Sequence, residues 1–237
     1  MTDFRFPDPD EHTAIVGTNG TGKSQFGAWI LSQRDLANTL NIIIDYKGEE
    51  LFNSLKRLRD ITTRELPKEN GLYILRAVPF EAEQEKMRQW LYKVWERGNT
   101  GLFVDEGYMI PGEKNGPFQA ILTQGRSLKI PVITLSQRPV GVNRFVFSES
   151  QHTIVFDLND DRDRDTIREF TPKGFMDWTP PGIGDTDPYT GEITLPKFHA
   201  KWYNKPDKSR FVLKPAPAAD QIVSDIDKQL RPIHRWI

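Results

Sequence analysis

Residues 17–24 read GTNGTGKS, and this stretch constrains the fold more than anything else in the 237-residue chain. A glycine-rich loop ending in Lys-Ser works only between a buried strand and the first turn of a helix. There, successive backbone N–H groups and the positive end of the helix dipole face the phosphates of a nucleotide. The flanks supply that context. Residues 12–16 (HTAIV) are a short apolar run, and a helix is expected from about residue 22 to 35, with Phe26, Trp29, Ile30 and Leu36 on its core face. Gly17, Gly20 and Gly22 permit the tight backbone path, and Thr18, Asn19 and Thr21 complete the nucleotide-binding loop. Lys23 is expected to reach the β- and γ-phosphates, and the Ser24 hydroxyl to ligate Mg²⁺. The ligand implied is ATP with Mg²⁺.

Beyond this loop, short β-branched runs alternate with amphipathic stretches, the pattern of a mainly parallel sheet flanked by helices. Strands are expected at 41–45, 72–78, 101–106, 130–136 and 152–158, and helices at 49–59, 81–97, 117–128 and 161–170. In the helix at 81–97, Met87, Trp90, Leu91, Val94 and Trp95 recur at core spacing. After Thr171 the texture turns to Pro, Gly and Asp, with a tight turn expected at 188–192, a short edge strand within 197–204 and a terminal helix near 218–230. The division predicted is a P-loop ATPase core over 1–170 and a loop-rich C-terminal extension over 171–237 packed on it. No cysteine is present, which excludes disulfides and thiolate metal sites and suits a reducing cytoplasm. His12, His152, His199 and His234 lack metal-ligand spacing, the N-terminus has no signal-peptide core, and no run of about 18 apolar residues occurs.

Hydrolysis needs a second set of groups. Mg²⁺ requires a carboxylate at the end of a neighbouring strand, and the attacking water requires a base. The run GLFVDE offers both, with Asp105 beside the metal and Glu106 as general base. A glutamate next to that aspartate indicates the class of α/β P-loop ATPases, RecA-like, that inserts an additional strand between the two motif strands and uses a catalytic glutamate. At the end of the fifth strand, TLSQRP places Gln137 where it can sense the γ-phosphate or the lytic water. Arg126, in GRSLKIP, is either a surface cation or an arginine finger given in trans to a neighbour's nucleotide.

The order GTNGTGKS, IIIDYKGE, LFVDE, GRSLKIPVITLSQRP and HTIVFDLNDDRDR resembles the FtsK/HerA superfamily of DNA-pumping ATPases over about residues 12–170. The superfamily's second-strand Asp-x-Lys-Gly pattern falls on Asp45, Lys47 and Gly48, and its sensor motif on Ser136 to Pro139. A chain this short is most similar to small viral genome-packaging ATPases. The resemblance implies Arg126 as a trans finger and a homo-oligomeric ring of five or six subunits with double-stranded DNA in its channel. It also implies work in the host cytoplasm, with docking to a capsid vertex or portal protein. A cellular or plasmid DNA-processing ATPase of the same superfamily, or a nucleotide-gated scaffold, are the alternatives; Glu106 and Gln137 together argue against the scaffold.

Net charge is −1, whereas a protein that coats nucleic acid usually carries a strongly basic surface. DNA contacts must then be local. The loops after the Asp105 and Gln137 strands, 107–118 and 138–145, offer Lys114, Arg138 and Arg144 to a phosphate backbone, although each is also an ordinary surface residue. The cations Lys56, Arg57 and Arg59 are expected on a solvated helix face.

Overall fold

Alternation along the apolar runs decides which face each strand buries. A computed structural model describes residues 5–112, 114–186, 191 and 193–230. The chain runs β1 (Thr13–Val16), α1 (Lys23–Ser32), β2 (Leu40–Asp45), α2 (Glu50–Asn53), β3 (Arg59–Ile61), β4 (Gly71–Arg76) and α3 (Glu81–Arg97). It continues through β5 (Thr100–Val104), α4 (Pro117–Leu128), β6 (Val132–Ser136), α5 (Phe145–Glu149), β7 (His152–Val155) and α6 (Asp161–Arg168). The last elements are β8 (Asp185–Thr186), β9 (Ile193–Thr194), β10 (Ala200–Asn204), β11 (Ser209–Leu213) and α7 (Ala219–Gln229).

Nine strands form one sheet in the order β11-β10-β7-β1-β6-β5-β2-β4-β3. From β7 to β3 every pairing is parallel; β10 and β11 close the other edge antiparallel. β1, β2, β5 and β6 are buried along their whole length, as strands covered by helices on both faces must be. Successive side chains point to opposite faces. Ile42, Ile44, Leu102 and Val104 therefore join Trp90, Leu91 and Val94 of α3 and Phe118 of α4 in one core. Ile43, Phe103, Ile133 and Leu135 join Phe26 and Leu31 of α1 and Ile222 and Ile226 of α7 in the other. Full burial of side chains this size stabilises by about 2 kcal/mol each.

β6 lies between β1 and β5, so the additional strand expected of the class is present. All five parallel strands that matter for a ligand (β2, β5, β6, β1 and β7) end at one edge, where open α/β sheets bind their ligands.

Most expected elements stand within a few residues, and one does not. The helix expected over 49–59 stops after Asn53, and Arg59–Ile61 is an edge strand paired with β4. The cause lies far along the chain. The Asp227 carboxylate of α7 accepts from the backbone N–H groups of Lys56 (3.2 Å) and Arg57 (3.3 Å), donors that a continuing helix would need. Arg57 is not on a solvated helix face either: its guanidinium donates to the carbonyls of Asp227 (3.0 Å) and Leu230 (2.7 Å). β10 is an interior strand rather than an edge, because β11 covers it. α7 is tied to α1 through Gln229, which donates to the Ser32 carbonyl at 2.6 Å. Trp95 is half-buried, with its indole N–H on Gln124 at 3.0 Å. The turn expected at 188–192 lies, Gly191 excepted, outside the described residues. Among the described residues no helix is long and apolar enough to cross a membrane.

Candidate nucleotide site

The loop that links β1 to α1 sits at the strand-end edge and is anchored on both sides. Gly17 N–H donates to the Ser136 carbonyl of β6 (3.2 Å), and Thr18 N–H to the Asp157 carbonyl beyond β7 (2.9 Å). Gly17 has no room for a side chain, since a Cβ there would come within 2.6 Å of Phe156 Cβ. Gly22, the residue before the helix, holds a left-handed φ of 98°, which turns the chain into α1 with its first N–H groups free to face phosphate. Thr21 closes the loop by donating its hydroxyl to the Thr18 carbonyl at 2.8 Å. Lys23 lies buried under the loop, its ammonium 3.5 Å from the Thr18 carbonyl. Burial first, and the Lys47 ammonium second, hold its pKa below the ordinary lysine value, against the pull of Glu106 and Asp105.

Asp105 and Glu106 follow the last residue of β5, and both are fully buried. Neither carboxylate oxygen of Asp105 has a hydrogen-bond partner among the described residues. Burial, then the nearby Glu49 and Glu106 carboxylates, push its pKa up to about 7, with Lys47 opposing. An unpartnered buried carboxylate is the donor a hard cation takes, and a bound divalent ion would restore the ionised form. A second oxygen that could hold such an ion is the Ser24 hydroxyl, which donates to Glu49 Oε1 at 2.9 Å. No group of three or more His, Cys, Asp or Glu side chains arranged for a metal occurs among the described residues.

Glu106 adopts a left-handed φ of 61°, a strained conformation for a residue with a side chain, of the kind kept at functional positions. Its Oε1 is ion-paired with Lys47, and its Oε2 lies 3.4 Å from the Gln137 N–H, a long contact. Gln137 in turn reaches the Tyr108 hydroxyl at 3.4 Å. The structure thus brings Lys23, Ser24, Asp105, Glu106 and Gln137 to one point.

Lys47 and Glu49 belong to the same point, and sequence reasoning gave neither a role. The Asp45-Tyr46-Lys47-Gly48-Glu49 turn explains how they arrive. Asp45, buried at the end of β2, accepts on Oδ1 from the N–H groups of Lys47 (3.0 Å), Gly48 (2.8 Å) and Glu49 (3.4 Å), and its Oδ2 is ion-paired with Arg76. Because β2 lies beside β5, the turn presents Lys47 to Glu106 and Glu49 to Ser24. Burial lowers the Lys47 pKa, but the hydrogen bond and charge of Glu106 outweigh it, leaving a net rise. For Lys47 the signal was the Asp45-x-Lys47-Gly48 pattern already noted; for Glu49 it was one more charge directly after an otherwise apolar central strand.

Arg126 is not near this point. It lies in the last turn of α4, which leads to the start of β6 and so to the opposite edge of the sheet; its guanidinium is exposed, 3.8 Å from Asp10. It cannot serve its own chain's nucleotide. The two suggested DNA loops do lie at the nucleotide edge, tied together by the Asn143 amide donating to the Gly112 carbonyl at 2.9 Å. Lys114 is exposed there. Arg138 is paired with Asp163 (3.4 Å) and Asp160 (3.9 Å), and Arg144 with Glu169 (2.7 Å), its guanidinium 4.9 Å from the Phe170 ring. These acids, on and flanking α6, offset part of the positive charge that those arginines would offer a phosphate backbone.

A phosphate loop on β1, an acid pair after β5 and an inserted β6 define an α/β P-loop ATPase of the RecA-like, additional-strand class. The chain is 36% identical over 224 residues, 94% of its length and 95% of the relative's, to the DNA packaging ATPase P9 of Enterobacteria phage PRD1. It belongs to that family of DNA packaging ATPases, as the ordered motifs led us to expect. Its fold is similar to that of the genome packaging NTPase B204 of Sulfolobus turreted icosahedral virus 2 in complex with ATPγS, at a TM-score of 0.64 and 17% identity over 88% of this chain and 99% of that one. It is also similar in fold to ATPases 2 and 3 of EssC from Geobacillus thermodenitrificans, at a TM-score of 0.53 and 16% identity over 93% of this chain and 44% of that one. No protein-family model matches the chain.

Proposed function

We propose that this ATPase is a genome-packaging motor that converts ATP hydrolysis into movement of double-stranded DNA into a viral capsid. The observation that supports this most is identity to the P9 packaging ATPase across nearly the whole of both chains, in a molecule that brings Lys23, Ser24, Asp105, Glu106 and Gln137 together.

In this reading Lys23 and the N–H groups of residues 17–24 hold the triphosphate. Ser24 and Asp105 would hold Mg²⁺, which would supply charge neutralisation on the phosphates. Gln137 orients the water, and Glu106 receives its proton. Lys47 holds that carboxylate in an ion pair, so the pair must open, or Lys47 must turn to the γ-phosphate, before Glu106 can act as a base. Arg126, remote from its own nucleotide, fits a finger supplied to the next subunit in a homo-oligomeric ring of five or six. Lys114, Arg138 and Arg144 contact the DNA backbone from loops that begin at Glu106 and Gln137, so a change at the γ-phosphate is transmitted directly to the grip. Within an infected cell the motor would work in the host cytoplasm, against a capsid vertex or portal protein.

Backbone contacts by Lys and Arg release counterions, so affinity for DNA falls steeply with salt. Duplex DNA is expected to stimulate steady-state ATP hydrolysis at about 50 mM salt, with the stimulation lost toward about 200 mM. Hydrolysis by the assembled protein that ignores duplex DNA at low salt would count against the motor.

A further inference from the structure

The groups described so far hold only one end of the nucleotide. Asp105, Glu106 and Gln137 fix the γ-phosphate on the β5–β6 side of the loop, while β1 is flanked on its other side by β7. A triphosphate laid along the loop from Lys23 must therefore send its ribose and base toward β7. On that side lies a cavity of about 800 Å³, bounded by Thr18, Asn19 and Thr21 of the loop, by Asp157 beyond β7, and by Phe198 and His199 just before β10. The far wall thus comes from the Pro- and Gly-rich region after residue 171, which the motifs leave without a role.

We infer that this cavity is the base and ribose subsite of the nucleotide and that the ring of Phe198 is the platform on which the base stacks; the inference rests on the ATPase reading above. Phe198 is a large apolar side chain left 42% exposed, and its ring joins neither core. Its left-handed φ of 64° belongs to the Pro196–His199 turn, which presents the ring at the loop. The ring lies directly against the phosphate loop: a Cβ added at Gly22 would come 3.3 Å from Phe198 Cδ1. The backbone that carries it is fixed by the His199 N–H donating to the Pro196 carbonyl at 3.0 Å and by β10, which pairs with β7 from Lys201 onward. The Lys197 ammonium stands 4.9 Å from the ring centroid. An incoming base takes that face of the ring and displaces the cation toward the α-phosphate, where its charge is better matched. Stacking requires only a π face, so the subsite favours a nucleoside phosphate over a bare polyphosphate without demanding a particular hydrogen-bond pattern.

The test compares ADP with inorganic tripolyphosphate as ligands of the full chain, by calorimetry, for the wild type, Phe198→Ala and Phe198→Trp. Loss of one base–aromatic stack should weaken ADP binding by Phe198→Ala about tenfold. Phe198→Trp should bind ADP at least as tightly as the wild type, and all three should bind tripolyphosphate equally. Equal ADP affinity in Phe198→Ala and the wild type would overturn the inference. So would a parallel loss for tripolyphosphate, which would make Phe198 a support of the loop rather than a base platform. A wild-type chain that binds neither ligand would overturn the ATPase reading itself, and this inference with it.

Discussion

Replacing Glu106 with glutamine is expected to lower ATP turnover by about 10²–10⁴-fold, the usual contribution of a general base, while nucleotide binding persists. Glutamine has the same shape, so the buried pocket and the strained backbone at residue 106 need not change. What is lost is the oxygen that can take a proton. The substitution also removes the counter-ion of Lys47, whose side chain is 26% exposed and can turn to water or to the γ-phosphate. Stability should therefore move little. Steady-state hydrolysis at saturating ATP, set beside equilibrium binding of a slowly hydrolysed analogue, separates the two effects. Turnover at the wild-type rate would remove Glu106 from the chemistry.

Asp45→Ala should do damage of a different kind. Its Oδ1 accepts from three consecutive backbone N–H groups in a turn that is half shielded from water. Asp45 is buried but Lys47 and Gly48 are exposed, so water can take up part of what their N–H groups lose, and the change should destabilise by about 1–3 kcal/mol. The Arg76 pair adds little to this, because Arg76 is partly exposed. For a chain of this length the melting temperature should fall by roughly 5 °C. Hydrolysis should fall too, since Lys47 and Glu49 lose the turn that aims them. Asp45→Asn, which keeps an acceptor at Oδ1, should recover much of both losses. A variant that melts and turns over like the wild type would show that the turn holds itself.

How much of this was legible in the sequence follows from the range of each interaction. β1, β2, β5 and β6 were readable almost to the residue because a strand buried on both faces must be nearly all apolar. The phosphate loop was readable because its glycines and its Lys-Ser are local requirements of one turn. The aspartate–glutamate pair was readable because it interrupts an apolar strand at its end. Sheet order is not local. That β2 lies beside β5, and so delivers Lys47 to Glu106, depends on pairings between residues some sixty positions apart, Ile44 with Val104 among them. The false helix over 54–59 has the same origin, since Asp227 of α7 takes the donors at residues 56 and 57. Arg138 and Arg144 looked free in the sequence; the folded chain sets Asp160, Asp163 and Glu169 against them. Phe198 was the least legible of all: the sequence put it in a short edge strand over 197–204, whereas the strand starts at Ala200 and the fold lays Phe198 against Gly22.

The central claim is that hydrolysis at this site moves duplex DNA, and displacement of a triplex-forming oligonucleotide from duplex DNA tests it most directly. Wild-type protein should strip the third strand with ATP and Mg²⁺, and should fail with a non-hydrolysable analogue or when Glu106 is replaced by glutamine. A third strand left in place while the wild type hydrolyses ATP on the same DNA would contradict the account.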